Sequence, residues 1–569
     1  MTAVRSSEAV KRLDQLYEFD RQPVTPNKLL GGSYFAGSYA GEHVAATEFV
    51  IGAMFVNWGV TINDVVFGLS IGNLLAVLSW ALVCAPIATQ TRLTLYWYLR
   101  KIGGPVFTLI YNVLNAVLFC ILAGAMITVA ASAIRIPFGI EPQTQWYPTD
   151  WRFVLVVLAV GAVVVSLAIL GFKKLAAFAS VCSPWMLLMF LAGALAVLPI
   201  LAENAGFDKL DSLDKFWQMG KTQVWIGQQP DGSPPAISFW EVMTFAWICN
   251  LAMHLGLADM ALLRYAKKSS YGYFSAFGMF LGHYMAWILA GVMGAGAALL
   301  LHQPLTELDS GAVAYQTLGA TGALAVVIAG WTTSNPTLYR AGLGLQSVTP
   351  NWPRWLVTLV AGSITTIIAC FPFVFTKLLN FVGWYGLLLS PAGAIVITEH
   401  WIFPKLKLSP FWFTQKKKTL NFPALTAWLA GIVIALGLFF TDTLHLFFLF
   451  IPVYIITSLL YILLAWKTGA KGPVIIESNT SPVAQDQSSV APCEPQDVYS
   501  NKRTSLCWIS FMIAAAALIA CVALPVKVFV GGIEGLHERA ENMKSWILWP
   551  TIIYFVAATA WQVIRGKST

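Results

Sequence analysis

The chain has 569 residues, of which 57% are hydrophobic and 11% charged, with a mean hydropathy of +0.69 and a net charge of +8. Soluble domains carry about 25% charged residues, so a soluble globular protein is excluded. Apolar windows of roughly 20 residues, each long enough to cross a bilayer, recur along nearly the whole chain and predict a polytopic helical membrane protein; the weak alternating segments of a transmembrane barrel are absent.

Residues 1–30 read as a polar cytoplasmic tail with Arg5, Lys11, Arg12, Arg21 and Lys28 and no cleavable signal pattern. About fourteen spans follow, near 33–59, 62–88, 104–134, 151–171, 177–202, 237–262, 272–301, 311–335, 354–376, 379–403, 424–441, 443–466, 506–529 and 544–565. A long polar loop is expected at 203–236, and a Ser-, Pro-, Gln- and Lys-rich cytoplasmic linker at 467–504. The expected organisation is a tail (1–30), a transport core (31–403), an eleventh and twelfth helix (404–466), the linker (467–504) and two further spans (505–569).

The basic residues sit in short loops: Arg92, Arg100 and Lys101; Lys173 and Lys174; Arg264, Lys267 and Lys268; Arg340 and Arg354; Lys405, Lys407 and Lys416 to Lys418. The opposite loops are short or acidic, with Glu203, Asp208, Asp211, Asp214, Asp231, Glu307 and Asp309. The positive-inside rule then puts both termini in the cytoplasm and the protein in the cell membrane. The positive charge is therefore no nucleic-acid signature. Seven cysteines (84, 120, 182, 249, 370, 507, 521) fall in apolar spans and Cys493 in a polar loop, without metal or disulfide spacing.

Polar side chains at membrane depth are costly and mark function. The first span carries Glu42, His43 and Glu48 among glycines; Gly37 and Gly41 weaken the helix, and a break would free carbonyls for a cation. Glu42 reads as a proton or cation site, as a counter-charge for a cationic substrate, or as a solvated interfacial residue. In the third span Asn115 and Phe119 lie one turn apart. In the sixth, Trp247, Asn250 and His254 share a helical face able to stack a planar ring and read its edge, and Gly256 could end a half-helix. The eighth contains Trp331-Thr-Thr-Ser-Asn-Pro336: Thr332 and Thr333 offer oxygen ligands for a hard cation, or bond back to the preceding turn, and Pro336 suggests a local break. Arg264 and Arg340 read as inside-facing loop charges.

These residues resemble the nucleobase–cation symporters of the first class, the cytosine permease, purine permease and hydantoin transporter group, over roughly 30–403. The carriers are Gly59-Val-Thr-Ile-Asn-Asp64 with Ile71-Gly-Asn-Leu-Leu75, Ala258-Asp259 with Arg264-Tyr265, Trp331-Thr-Thr-Ser-Asn335 with Leu338-Tyr339 and Gly342-Leu-Gly344, and Pro391-Ala-Gly393 with Glu399-His400. The resemblance implies an all-α, leucine-transporter-type fold: two inverted five-helix repeats with unwound first and sixth helices, about 12 core helices, and here 2 more at the C-terminal end. It implies a cation between the eighth-helix hydroxyls of Thr332 and Thr333 and first-helix carbonyls in the Gly41–Ala46 region, Gly41 and Ala45 among them. It implies a substrate held by Glu42, Asn115, Phe119 (Leu118 in a slipped register), Trp247, Asn250 and Ser334. The chain departs from the family in offering Phe119 with Asn115 or Ala116 where a tryptophan and a glutamine are common, and in placing Glu42 where a small residue is expected.

The function so implied is secondary active symport, by alternating access, of a small nitrogenous heterocycle with Na⁺ or H⁺ as the coupling ion. No enzymatic activity or cofactor is expected; the partners are a small-molecule substrate and the lipid bilayer, and the oligomeric state stays open. A carrier of another solute class on the same fold (a cationic vitamin precursor, an amino acid, an osmolyte), or a transporter-like membrane receptor, is the alternative.

Overall fold

The computed structural model describes residues 21–143, 145–305, 308–349, 351–372, 378–416, 418–471 and 505–567. Most of the expected tail and linker, together with Glu307, Lys417 and Cys493, lies outside them. The described residues are overwhelmingly helical; among them the only strand-like pairings are two isolated bridges, Leu30 with Ala266 and Thr61 with Ile226.

Among the described residues, ten helical segments are long and apolar enough to cross a membrane. The other four expected spans fail that test for separate reasons. The first is split into α1 (Gly32–His43) and α2 (Thr47–Asn57). The sixth is split into three pieces, the eighth is rich in Thr, Ser and Gly, and the ninth spans only 16 residues. After α2 come α3 (Asp64–Thr91), α4 (Leu95–Ile134), α5 (Trp151–Ile169) and α6 (Phe172–Asn204). The loop expected at 203–236 contains a short helix, α7 (Leu213–Met219). The sixth span is α8 (Phe239–Ile248), α9 (Leu251–His254) and α10 (Met260–Leu263), and the seventh is α11 (Ser269–Leu301).

Two boundaries move. In α4, Gly104 sits at φ 77°, so residues 95–103 form a separate arm before the spanning part. The eighth span, read as 311–335, is divided by Gly319 (φ 62°) into α12 (Ser310–Leu318) and α13 (Ala320–Gln346). That shift carries Arg340 out of the expected loop and into the C-terminal third of α13, where it is fully buried. Pro336 does not break α13; Ser334, Asn335 and Thr337 bond back to the carbonyls of Gly330, Trp331 and Thr333. Such back-bonding satisfies groups that lipid could not. Arg264 is likewise buried: Nε donates to the Ala261 carbonyl and Nη2 to the Tyr265 hydroxyl, 3.2 Å away.

The chain continues through α14 (Arg354–Ala369), α15 (Leu378–Ile397), α16 (Phe422–Phe440) and α17 (Phe450–Ala465) to α18 (Ser505–Val530), α19 (Leu536–Trp546) and α20 (Leu548–Lys567). The last spans pack on α6, where Trp185 donates to Thr551 and the Tyr554 hydroxyl to the Val181 carbonyl. The broken first and sixth spans lie in the middle of the bundle. At each break a glycine of a neighbouring helix allows close approach. A Cβ on Gly282 of α11 would stand 1.9 Å from the His43 carbonyl oxygen, and one on Gly393 of α15 would stand 1.8 Å from that of Leu255. All seven cysteines read as apolar are free and buried.

Candidate functional site

In the first span the backbone ladder stops with the Val44 N–H on the Ala40 carbonyl (3.0 Å) and resumes with the Glu48 N–H on that of Ala45 (3.2 Å). The carbonyls of residues 41–44 are released from it, inside a buried stretch. Unpaired backbone groups in a dry interior need other partners. One is present: the Thr333 hydroxyl donates to the Glu42 carbonyl at 2.8 Å. The same hydroxyl lies 3.0 Å from the Ala329 carbonyl, and the Thr332 hydroxyl 3.1 Å from it. Two hydroxyls and two carbonyls thus converge between the first-span break and α13, an all-oxygen donor set of the kind a hard cation takes.

The sixth span starts at a Ser-x-x-Glu capping box, Ser238 with Glu241. Its ladder stops with Cys249 on Phe245 (2.9 Å) and resumes with Met253 on Asn250 (2.8 Å). A second turn follows, with Leu257 at φ 63°.

Between the two breaks lies a cavity of about 50 Å³, room for a few waters. Its polar lining is Glu42, His43, Thr47, Glu48, Asn250, His283, Thr333, Thr337 and Tyr385, with Leu122, Met126 and Met253 among the apolar walls. Glu48 accepts from Trp287 Nε1 through one carboxylate oxygen and faces His283 Nε2, 3.7 Å away, through the other. The His283 ring stacks on Trp287, centroids 4.5 Å apart.

Beside the cavity, Arg340 joins two buried carboxylates. Its Nη1 and Nη2 donate to Glu42 at 2.6 and 3.0 Å; Nε and Nη2 donate to Asp259 Oδ1 at 2.9 and 2.5 Å. Asp259 also accepts from Tyr39 and from Trp80 Nε1. This cluster ties α1 to α13, α3 and the C-terminal end of the sixth span.

The residues expected at the site divide. Asn250 and Thr333 line the cavity. Thr332 contributes its hydroxyl to the oxygen cluster while touching Met186 of α6 (3.7 Å). The first-span carbonyl that meets Thr333 is Glu42's. The Gly41 carbonyl is among those released at the break, whereas the Ala45 carbonyl accepts from the Glu48 N–H. The Glu42 carboxylate is held by Arg340, so it is neither a solvated interfacial residue nor an unpaired charge.

Trp247 faces elsewhere. Its Nε1 donates to Ser79 and its ring meets Phe450 edge-on, because the helix breaks between Trp247 and Asn250 and the shared face is lost. Ser334 points a third of a turn away from Thr333, toward Ala123 of α4. Asn115, Phe119, Leu122 and Met126 form one stripe of α4, but only the last two reach the cavity. Asn115 lies seven residues earlier than Leu122, about 10 Å along the axis, beside Gly344. Phe119 sits behind Tyr385, edge to face at 5.9 Å. His283, Tyr385 and Asp259 were not among the expected site residues. An ionisable His inside a span was a usable signal for His283; Tyr385 carries none in the sequence.

No family model and no curated protein matches the chain. Solved structures do. The chain is similar to Mhp1, a nucleobase–cation-symport-1 family transporter, in a closed conformation with bromovinylhydantoin bound, at TM-score 0.60 and 16% identity over 80% of this chain and 96% of that one. It is similar to the inward-facing conformation of Mhp1 at TM-score 0.57 and 16% identity (82% and 98%). It is also similar to the substrate-bound outward-open state of a Na⁺-coupled sialic acid symporter at TM-score 0.56 and 14% identity (81% and 95%). The chain is a multi-pass membrane protein of the leucine-transporter type of fold.

Proposed function

We propose that the chain is a secondary active symporter that imports a small nitrogenous heterocycle, with Na⁺ or H⁺ as the driving ion. The observation that carries this reading is the Thr333 hydroxyl on the freed Glu42 carbonyl, at the edge of a polar cavity between two broken helices. A cation taken up by the oxygens of Ala329, Thr332, Thr333 and Glu42 would pin the first-span break to α13. It would thereby favour the shape in which Asn250 faces the cavity. Coupling is then the higher substrate affinity of the cation-bound state. The substrate would lie among Asn250, Tyr385, Leu122 and Met126, and transport rather than catalysis is the activity we assign. The basic loops and the even number of spans support a cell-membrane location with both termini cytoplasmic.

The test is counterflow of labelled cytosine, uracil and hydantoin in proteoliposomes at varied Na⁺ and pH. Thr333→Ala should abolish cation-stimulated uptake while sparing expression. Unchanged sodium and proton dependence in that variant would refute the cation site, and absence of counterflow for every solute would refute the heterocycle reading.

A further inference from the structure

Basic residues fall in several loops, and membrane topology asks only for their number. Around the kink in α4, however, three of them are held in one place. Arg100 and Lys101 lie on the arm before Gly104, and Lys418 lies on the segment between α15 and α16. The two segments are stitched together. The Val106 N–H donates to the Thr419 carbonyl (3.1 Å), the Asn421 N–H to that of Gly103 (3.0 Å) and the Thr414 hydroxyl to that of Lys101 (2.6 Å). Gly104 permits this approach, since a Cβ there would stand 2.7 Å from the Thr419 carbonyl oxygen.

The result is a pocket of about 320 Å³, at the low end of the roughly 300–1,000 Å³ range of ligand pockets. Arg100, Lys101 and Lys418 line it with Trp97 and Phe413, and no carboxylate does. Among the described residues, none of the three cations is in an ion pair. The Arg100 guanidinium lies over the Trp97 ring, 5.1 Å from its centroid, which orients it without neutralising it. Three such cations on a bonded seat suit a phosphate, which Arg can meet with two parallel N–H bonds. Beyond the pocket, the spanning part of α4 is bare on one side. Pro105 lines the pocket, and Val106, Leu109, Ile110, Val113 and Val117 follow it at helical spacing, 37–50% exposed. In a membrane-spanning helix a continuous apolar stripe of that kind belongs against acyl chains.

We propose that this pocket seats the phosphate of an anionic phospholipid, with Arg100, Lys101 and Lys418 around the headgroup and the acyl chains along the stripe of α4. A free phosphate would satisfy the three cations equally but leave the stripe without a role, so the lipid is the occupant this surface favours. The site lies apart from the cavity between the broken spans and does not depend on the solute carried.

Equilibrium titration of the purified full-length protein in neutral detergent tests it. Dioleoylphosphatidylglycerol is the anionic probe, dioleoylphosphatidylcholine the zwitterionic one and inorganic phosphate the chain-free one. The wild type should bind phosphatidylglycerol at least about 10-fold more tightly than phosphatidylcholine. Each of Arg100→Gln, Lys101→Gln and Lys418→Gln should weaken phosphatidylglycerol by about 5-fold, the worth of one basic residue at an anionic surface. Phosphatidylcholine should change by less than about 2-fold in the same variants. Lys173→Gln, Lys174→Gln and Lys267→Gln, at exposed positions of other loops, are the controls and should leave phosphatidylglycerol within about 2-fold of wild type. Equal binding of the two lipids by the wild type, or an equal loss in the controls, would overturn the site. Inorganic phosphate bound as tightly as phosphatidylglycerol would overturn the lipid assignment. The three cations are themselves exposed, and the wild-type ranking is read without any variant, so the outcome does not depend on a variant folding.

Discussion

Replacing Arg340 by methionine isolates the charge cluster beside the cavity. The guanidinium makes four hydrogen bonds to two carboxylates, and Glu42, Asp259 and Arg340 are each at most 3% exposed. The trio carries a net charge of minus one. Arg340→Met makes it minus two and leaves both carboxylates facing each other in a dry interior. Breaking a buried ion pair from one side costs about 3–5 kcal/mol, a large share of the 5–15 kcal/mol that typically holds a folded domain. Glu42→Gln acts the other way: it brings the trio to zero and keeps the Arg340–Asp259 pair, so its cost should stay near 1 kcal/mol, the net worth of an ordinary hydrogen bond. A triple variant, Glu42→Gln with Asp259→Asn and Arg340→Met, should recover most of the loss, since no buried charge is left unpaired. Thermal unfolding in detergent, read by monodisperse fraction on size exclusion, gives the ranking. If Arg340→Met unfolds no earlier than wild type, or Glu42→Gln is as damaging, Arg340 is not the group that neutralises the two carboxylates.

Two further expectations follow from packing. Gly282→Ala would put a methyl group within contact-breaking distance of the His43 carbonyl, an overpacking cost of about 1–3 kcal/mol, whereas Gly437→Ala, with nothing within 4 Å, should be neutral or stabilising; equal melting temperatures for the two would refute the tight seat of α11 on the first-span break. Leu122→Trp should fill the cavity and stop uptake in the counterflow assay, while Phe119→Leu, behind Tyr385, should keep uptake within about 3-fold at a stability cost of about 1 kcal/mol; the reverse pattern would restore Phe119 to the substrate surface.

Much of the architecture was legible because its signals are local. Apolar runs mark the spans, and the Gly- and carboxylate-rich start of the first span marks its break. The hydroxyl pair Thr332–Thr333 was legible for the same reason: polar atoms at membrane depth need partners, and one of theirs is a carbonyl of the broken helix. What failed depended on knowing where helices stop. Reading the eighth span as ending near 335 made Arg340 a loop residue; one glycine at 319 with positive φ moves the helix along and makes the same residue the hub of a buried cluster.

The same dependence explains the sixth span. Trp247, Asn250 and His254 share a face only on an unbroken helix, and the break after Ile248 is what separates them. Sequence periodicity is therefore least informative at the broken segments, because they have given up the regular geometry on which periodicity rests. Charge survives the loss of geometry better. Glu42 and Glu48 could each have been the carboxylate that meets the solute, and the sequence favours neither. The structure separates their surroundings: Arg340 occupies Glu42 from behind, whereas among the described residues no Lys or Arg lies beside Glu48, six residues and one helix break further along the same span.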